Sequence, residues 1–287
     1  MTATAAGAAS DVCLDQVRTY DFDRYLSLLY APERDRPALA ALYAFNMEIA
    51  RAREIVSDPM PGEIRFQWWR DALDAPDGSD VDQHPVAGAI RRAIGAYALP
   101  AAALHNLIDA RVFDLYDDPM PCLGDLEGYA GETSSALIQM ASIVLSQGRD
   151  PGTAEIAGHA GVAYALTGLM RALPWHARRR QLYLPADLLE AHGVDRETLF
   201  RGETRPELKA ALRDLVAVAR RHLEATRKLI GHAPRETVPA FLPVCLVGPM
   251  LDRLERRDVD PLNTPVDLSA LRKHWIFWRS WMRSRRG

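Results

Sequence analysis

The chain has 287 residues, 48% of them apolar and 25% charged, with a formal charge of −3. This balance suits one large globular domain and excludes a disordered chain or a partner of nucleic acid recruited by bulk positive charge. Cys13, Cys122 and Cys245 are odd in number, far apart and without metal-ligand spacing, so they fit ordinary thiols in a reducing compartment.

Residues 1–17 are expected to form a flexible N-terminus. They hold no Lys or Arg and no long apolar run, so neither a secretory signal nor an Arg-rich transit peptide is expected, and the location implied is cytoplasmic. A helix is predicted over Arg36 to Val56, where Leu39, Leu42, Phe45, Ile49 and Ile55 keep to one stripe and Pro37 suits a first turn. Ile64, Phe66, Trp68, Trp69 and Leu73 mark the next helix, stopped by a Pro/Gly/Asp-rich loop from Ala75 to Asp82. Further helices are predicted over His84 to Tyr97, Ala101 to Tyr116, Gly124 to Ser146 and Thr153 to Leu173, the last ended by Pro174. Another starts at Pro206 and carries Leu208, Leu212, Leu215, Ala219, Leu223 and Leu229 at helical spacing, and a last core stretch covers Val238 to Arg257. Period-two alternation is scarce and no repeat divides the chain, so an all-α fold in one domain, 1–287, is expected.

No stretch is expected to reach the ~20 apolar residues of a membrane span. The basic segment 273–287 is different, because Trp275, Trp278, Trp281 and Met282 interleave with Lys273, Arg279, Arg283, Arg285 and Arg286. Such a segment either seals the bundle with its aromatic face or meets an anionic membrane surface, peripheral to the inner membrane. Trp278, Arg279, Arg283, Arg285 and Arg286 are the residues assigned to membrane or partner contact. No nucleic-acid motif accompanies the charge.

Several stretches together resemble the squalene/phytoene synthases: "DFDRYLSLLYAPERDRPALAALYAFN", "FQWWRDAL", "YAGETSS" from Tyr129, and "GVAYALTGLMR…RRRQLYLP" from Gly161 to Pro185. The resemblance implies a helical bundle around a central apolar cavity, with two acidic motifs at its mouth holding Mg²⁺ against a diphosphate. That chemistry needs hard oxygen ligands, chiefly carboxylates. The family's first motif, R-x-x-D-D-x-x-D, falls here on Met47, Ala50, Arg51 and Glu54, which keeps one acid of three. The second keeps its framework residues Gly161, Ala163, Leu166, Thr167, Arg171, Ala177, Tyr183, Leu184 and Pro185, whereas its acids are replaced by Ala172, Trp175 and His176.

Paired loss of the acids within a retained framework, together with "LPWHARRRQLYLP" and the following "HGV", resembles the branch of the family that assists assembly of respiratory complex I. The function implied is non-catalytic, with a respiratory complex subunit or assembly partner as its contact and no cofactor. Two alternatives stay open: a prenyl-diphosphate-condensing transferase using Mg²⁺ on Glu54, Glu132 or the Asp114, Asp117, Asp118 group, and an isoprenoid or lipid binder without chemistry. The candidate cavity mouth comprises Arg51, Glu54, Glu132, Arg171, His176, Arg178, Arg179 and Tyr183, with no metal ligand assigned. Of these, Arg171, His176, Arg178 and Arg179, with Arg180, could hold a phosphate or carboxylate together, or form an exposed basic loop after Pro174. Arginines close to His176 would disfavour its protonation.

Overall fold

The computed structural model describes residues 3–56 and 58–286, and every regular element among them is helical. The chain begins with α1 (Ala3–Tyr20), α2 (Phe22–Leu28), α3 (Arg36–Ala50), the short α4 (Ala52–Ile55) and α5 (Pro59–Asp74). It continues through α6 (Pro85–Tyr97), α7 (Ala101–Arg111), α8 (Leu123–Ala130), α9 (Ala136–Leu145) and α10 (Ala154–Arg178). Short α11 (Ala186–Ala191) and α12 (Arg196–Phe200) lead to α13 (Pro206–Leu229), α14 (Val238–Phe241), α15 (Val247–Leu254) and α16 (Ala270–Arg286). Prolines occupy the first turns of α3, α5, α6 and α13, where a missing N–H costs no helical hydrogen bond.

The centre of the bundle is α10, which packs on α9, α13 and the turn between α8 and α9, while α1 lies against α3 and α6. Phe45, Phe66, Trp69, Leu137, Val144, Ala163 and Leu166 belong to one continuous buried cluster. Each large apolar side chain so buried contributes roughly 1.5–3 kcal/mol. A smaller cluster of Leu26, Leu242, Leu246, Met250, Leu268 and Phe277 fastens α16 onto α2 and the turn Leu242–Leu246.

The all-α fold is as expected, and four local expectations need correction. The N-terminal segment is not a loose tail: α1 runs from Ala3, and Ala9, Cys13 and Val17 are buried. The helix predicted over 36–56 breaks at Arg51, whose φ of −96° and ψ of 6° leave the helical range. Proline did not end α10 at position 173. The helix runs through Pro174 to Arg178, because Met170, Leu173 and Ala177 bury the same face on both sides of it, and that packing offsets the lost backbone bond. Finally, Arg235–Leu254 does reach span length, at mean hydropathy 1.3, but its apolar window is 67% buried inside the bundle and serves as core.

The stretch quoted as "YAGETSS" forms a π turn, Gly131–Ser135, between α8 and α9. Gly161 of α10 lets it approach. A Cβ there would stand 2.3 Å from Ser135 Cα, and Ser135 Oγ donates to the Gly158 carbonyl at 2.9 Å across the same contact.

Candidate functional site

The first motif position lies where α3 gives way to α4. Arg51 donates from Nε to Glu54 at 2.8 Å, and its guanidinium sits 3.5 Å from the centroid of the Tyr20 ring on α1. The one acid kept by the motif, Glu54, is therefore engaged by the arginine that replaces a motif aspartate, and the Arg51 charge is further stabilised by an aromatic face.

The second motif helix carries Arg171 into a four-membered charge network. Its Nη2 lies 3.0 Å from Asp267 and its Nη1 4.0 Å from Asp23, while Nε donates to the Val266 carbonyl at 3.0 Å. Lys273 Nζ is 2.8 Å from Asp23 and 2.9 Å from Asp267. Two cations and two carboxylates balance, so the site presents no surplus charge to a ligand. Burial raises the Asp23 carboxyl despite Lys273 and Arg171, whereas the partly exposed Asp267 is held below its usual range because those same two cations outweigh its burial.

Between the two motif helices stands Arg24 of α2, 7% exposed. Its guanidinium carbon is 5.6 Å from the Tyr43 ring centroid on α3 and 5.1 Å from the Tyr164 centroid on α10, and Nη1 donates to Asp21 at 2.5 Å. Burial would lower the arginine's proton affinity, but Asp21 and the two tyrosines reverse the effect and the net shift is upward. Burial pushes the Tyr43 phenol up to about 12. A cation paired with Asp21 thus links a ring of α3 to a ring of α10.

A third polar group surrounds Asp114, which is 5% exposed. Its carboxylate accepts from Arg111 Nη1 at 2.9 Å, Tyr129 Oη at 2.9 Å and Tyr183 Oη at 2.9 Å. His176 packs on the Tyr183 ring with centroids 4.6 Å apart, and burial, then Arg111 and Arg179, lower its pKa to about 4. It is a neutral, packed imidazole at physiological pH. Asp117 points outward to Arg53 at 3.3 Å and Asp118 is exposed, so the D-x-x-D-D run does not act as one cluster.

The predicted mouth residues are consequently dispersed. Arg51 and Glu54 pair at the end of α3, Arg171 turns toward α2 and α16, and His176 and Tyr183 join the Asp114 core. Glu132 is exposed on the π turn, Arg178 is exposed, and Arg179 covers the Trp175 ring at 4.0 Å. Arg180 leaves the basic group for Glu197 at 2.5 Å. An anion site built from Arg171, His176, Arg178, Arg179 and Arg180 does not form. Asp23 and Arg24 lie in the quoted "DFDRYL" but carry no assigned role there, and Lys273 is read only as part of the basic C-terminal segment, whereas the structure buries it in this network. No sequence signal links them to Lys273 at the other end of the chain.

Mg²⁺ does not fit the two motif positions. The side chains of Met47, Ala50, Ala172, Trp175 and His176 carry no oxygen, and Glu54 is already held by Arg51. Among the described residues, no group of three or more His, Cys, Asp or Glu side chains is placed to hold a metal ion.

The outer face of α16 forms a separate feature. Leu271, Trp275 and Trp278 are 83%, 57% and 47% exposed, the two indoles stack with centroids 5.1 Å apart, and Arg272 and Arg279 lie exposed on the same helix. Arg283 is exposed and Arg285 lies over Trp281, while the side chain of Arg286 is outside the described residues. The segment expected as a basic tail is this helix, with Lys273 and Phe277 buried on its inner side.

Residues 17–278 match the squalene/phytoene synthase family. A rat protein named NADH dehydrogenase (ubiquinone) complex I, assembly factor 6 is 31% identical over 92% of this chain and 81% of its own length. Its human counterpart is 28% identical over 95% and 82%. A chloroplastic phytoene synthase from Daucus carota is 23% identical over 87% of this chain and 63% of that protein. Among solved structures, a dehydrosqualene synthase superposes with a TM-score of 0.78 at 16% identity, covering 98% of both chains.

Proposed function

The chain belongs to the squalene/phytoene synthase family, and since Glu54, held by Arg51, is the one acid kept at its motif positions, we propose that it is a non-catalytic member assisting assembly of a membrane respiratory complex of the complex I type. The observation that carries this is the conversion of both acidic motifs into self-satisfied internal contacts. Arg51 closes on Glu54 and Tyr20, and Arg171 closes on Asp23 and Asp267. A diphosphate needs unsatisfied charge at the mouth of a cavity, and here the charges satisfy one another while Arg24 lies between Tyr43 of α3 and Tyr164 of α10. The relatives named as complex I assembly factors support the same reading, at higher identity than the phytoene synthase.

The partner is a subunit or assembly intermediate of that complex, met at the inner membrane from the cytoplasmic side. The exposed Leu271, Trp275 and Trp278 face, with Arg272 and Arg279 beside it, is the surface that would touch membrane or partner. No cofactor is required. The test is affinity copurification of the tagged chain from gently solubilised membranes. Enrichment of respiratory-complex subunits is expected, and a folded, membrane-bound protein that brings none of them down would reject the proposal.

A further inference from the structure

A cavity of about 740 Å³ opens between the end of α13, α14 with its following turn, and α16. Its volume falls within the roughly 300–1,000 Å³ typical of small-molecule sites. Ile230, Val238, Phe241 and Leu242 give it an apolar wall, and no residue of α3 or α10 lines it, so it is separate from the space between the motif helices. Arg235 and Arg283 line it from opposite elements; both are exposed, and neither is ion-paired with a described residue. An apolar interior with two uncompensated guanidiniums complements an amphiphile whose head is anionic. The location adds to this. Arg283, Ser280 and Ser284 of the wall belong to the same helix that exposes Leu271, Trp275 and Trp278, a face suited to the level of lipid headgroups.

We propose that this cavity takes an acyl chain of an anionic phospholipid, with Arg235 and Arg283 on its phosphate. The site holds whether or not the chain serves a respiratory complex, so it stands apart from the assembly role. Bound lipid would brace α16 against α14 and keep the tryptophan face at a fixed height on the membrane.

Cys245 lines the cavity and reports on it directly. Burial raises its pKa, so alkylation is followed by intact mass at mildly alkaline pH, in a Cys122→Ser background that leaves Cys245 as the partly exposed thiol. The probe is monomeric oleoyl-lysophosphatidylglycerol, compared with the zwitterionic lysophosphatidylcholine and with oleate. The anionic lysolipid is expected to protect Cys245, the zwitterionic one to do so more weakly. The half-point should rise about fivefold for each of Arg235→Gln and Arg283→Gln, changes at exposed positions that leave the fold intact. Ser280→Trp, with its fold checked by circular dichroism, should abolish protection by filling the cavity. Trp275→Ser with Trp278→Ser should keep protection while weakening vesicle binding, which separates the cavity from the outer face. Unchanged Cys245 reactivity with the lysolipid would overturn the proposal, as would protection indifferent to Arg235 and Arg283. Protection by oleate alone would assign the site to a free fatty acid and overturn the phospholipid.

Discussion

Lys273 Nζ lies 2.8 Å from the carboxylate of Asp23, joining the last helix to the second across nearly the whole chain. Both side chains are less than a tenth exposed, and Asp267 with Arg171 completes the charge balance. Removing one member leaves a buried charge without its partner, which typically costs about 3–5 kcal/mol. Lys273→Met is therefore expected to lower the urea-unfolding free energy by about that amount. Asp23→Asn added to Lys273→Met should return most of the loss, because the stranded charge is gone. If the double variant is no better than the single one, the penalty comes from packing rather than from the pair.

His176 sets a pH dependence whose sign is fixed by its burial. Its folded pKa of about 4 lies below the usual 6.5, so the unfolded chain binds the proton more readily. The stabilisation is complete above about pH 6.5 and is lost as the pH falls toward 4. At about 1.4 kcal/mol per unit, the swing is on the order of 3 kcal/mol. His84 is lowered by burial as well and titrates in the same direction. His176→Phe should keep the contact with Tyr183 and flatten the stability profile between pH 6.5 and 4, leaving the smaller slope of His84. Denaturant melts at a series of pH values measure this, and an unchanged slope would show that His176 is not the group responsible.

The architecture was legible in the residues because helical periodicity, proline starts and breaker loops are local signals. Where they misled, tertiary contacts overrode them. Packing of Met170, Leu173 and Ala177 carried α10 through Pro174, and burial of Cys13 and Val17 ordered the expected loose terminus. The loss of metal acids was equally readable, since Ala50 and Ala172 lack ligand atoms wherever they point. What replaced them was not readable. The contacts of Asp23 with Lys273 and of Arg24 with Tyr164 join residues distant in sequence, and neither periodicity nor motif spacing encodes such pairs.

Gly161 is a retained framework residue with a steric cause. A Cβ would fall 2.3 Å from Ser135 N and Cα, backbone atoms that cannot rotate aside. Gly161→Ala must push the π turn off α10, and a loss of about 3 kcal/mol is expected, at the upper end of overpacking penalties. Gly158→Ala on the same helix, where nothing beyond the surrounding helical backbone lies within 4 Å of the added carbon, serves as the control and should be neutral or slightly stabilising. Equal effects of the two would remove the close-approach explanation.

Incubation with Mg²⁺ and farnesyl or geranylgeranyl diphosphate should give no condensed product by mass spectrometry and no metal-dependent binding of either diphosphate. The prediction follows from donor chemistry, because Ala50, Ala172 and His176 offer no oxygen where the enzymes of the family place carboxylates. Metal-dependent product would show that other carboxylates, such as Glu132, had taken over, and the assembly reading would then lose its main support.

The outer face of α16 separates stability from attachment. Trp275 and Trp278 stack on each other but are about half exposed, so their removal forfeits little burial. Trp275→Ser with Trp278→Ser should change the unfolding free energy by no more than about 0.5 kcal/mol per site, the range of ordinary surface substitutions. Binding to vesicles containing phosphatidylglycerol should nevertheless weaken about thirtyfold, because each of the two indoles that enters the interface contributes roughly 1 kcal/mol of apolar transfer. Arg279→Gln should weaken binding to anionic vesicles and leave binding to neutral ones unchanged, and added salt should reproduce its effect by screening. A variant pair that stays folded and sediments with vesicles as the parent does would place the membrane contact elsewhere and leave this face to a protein partner.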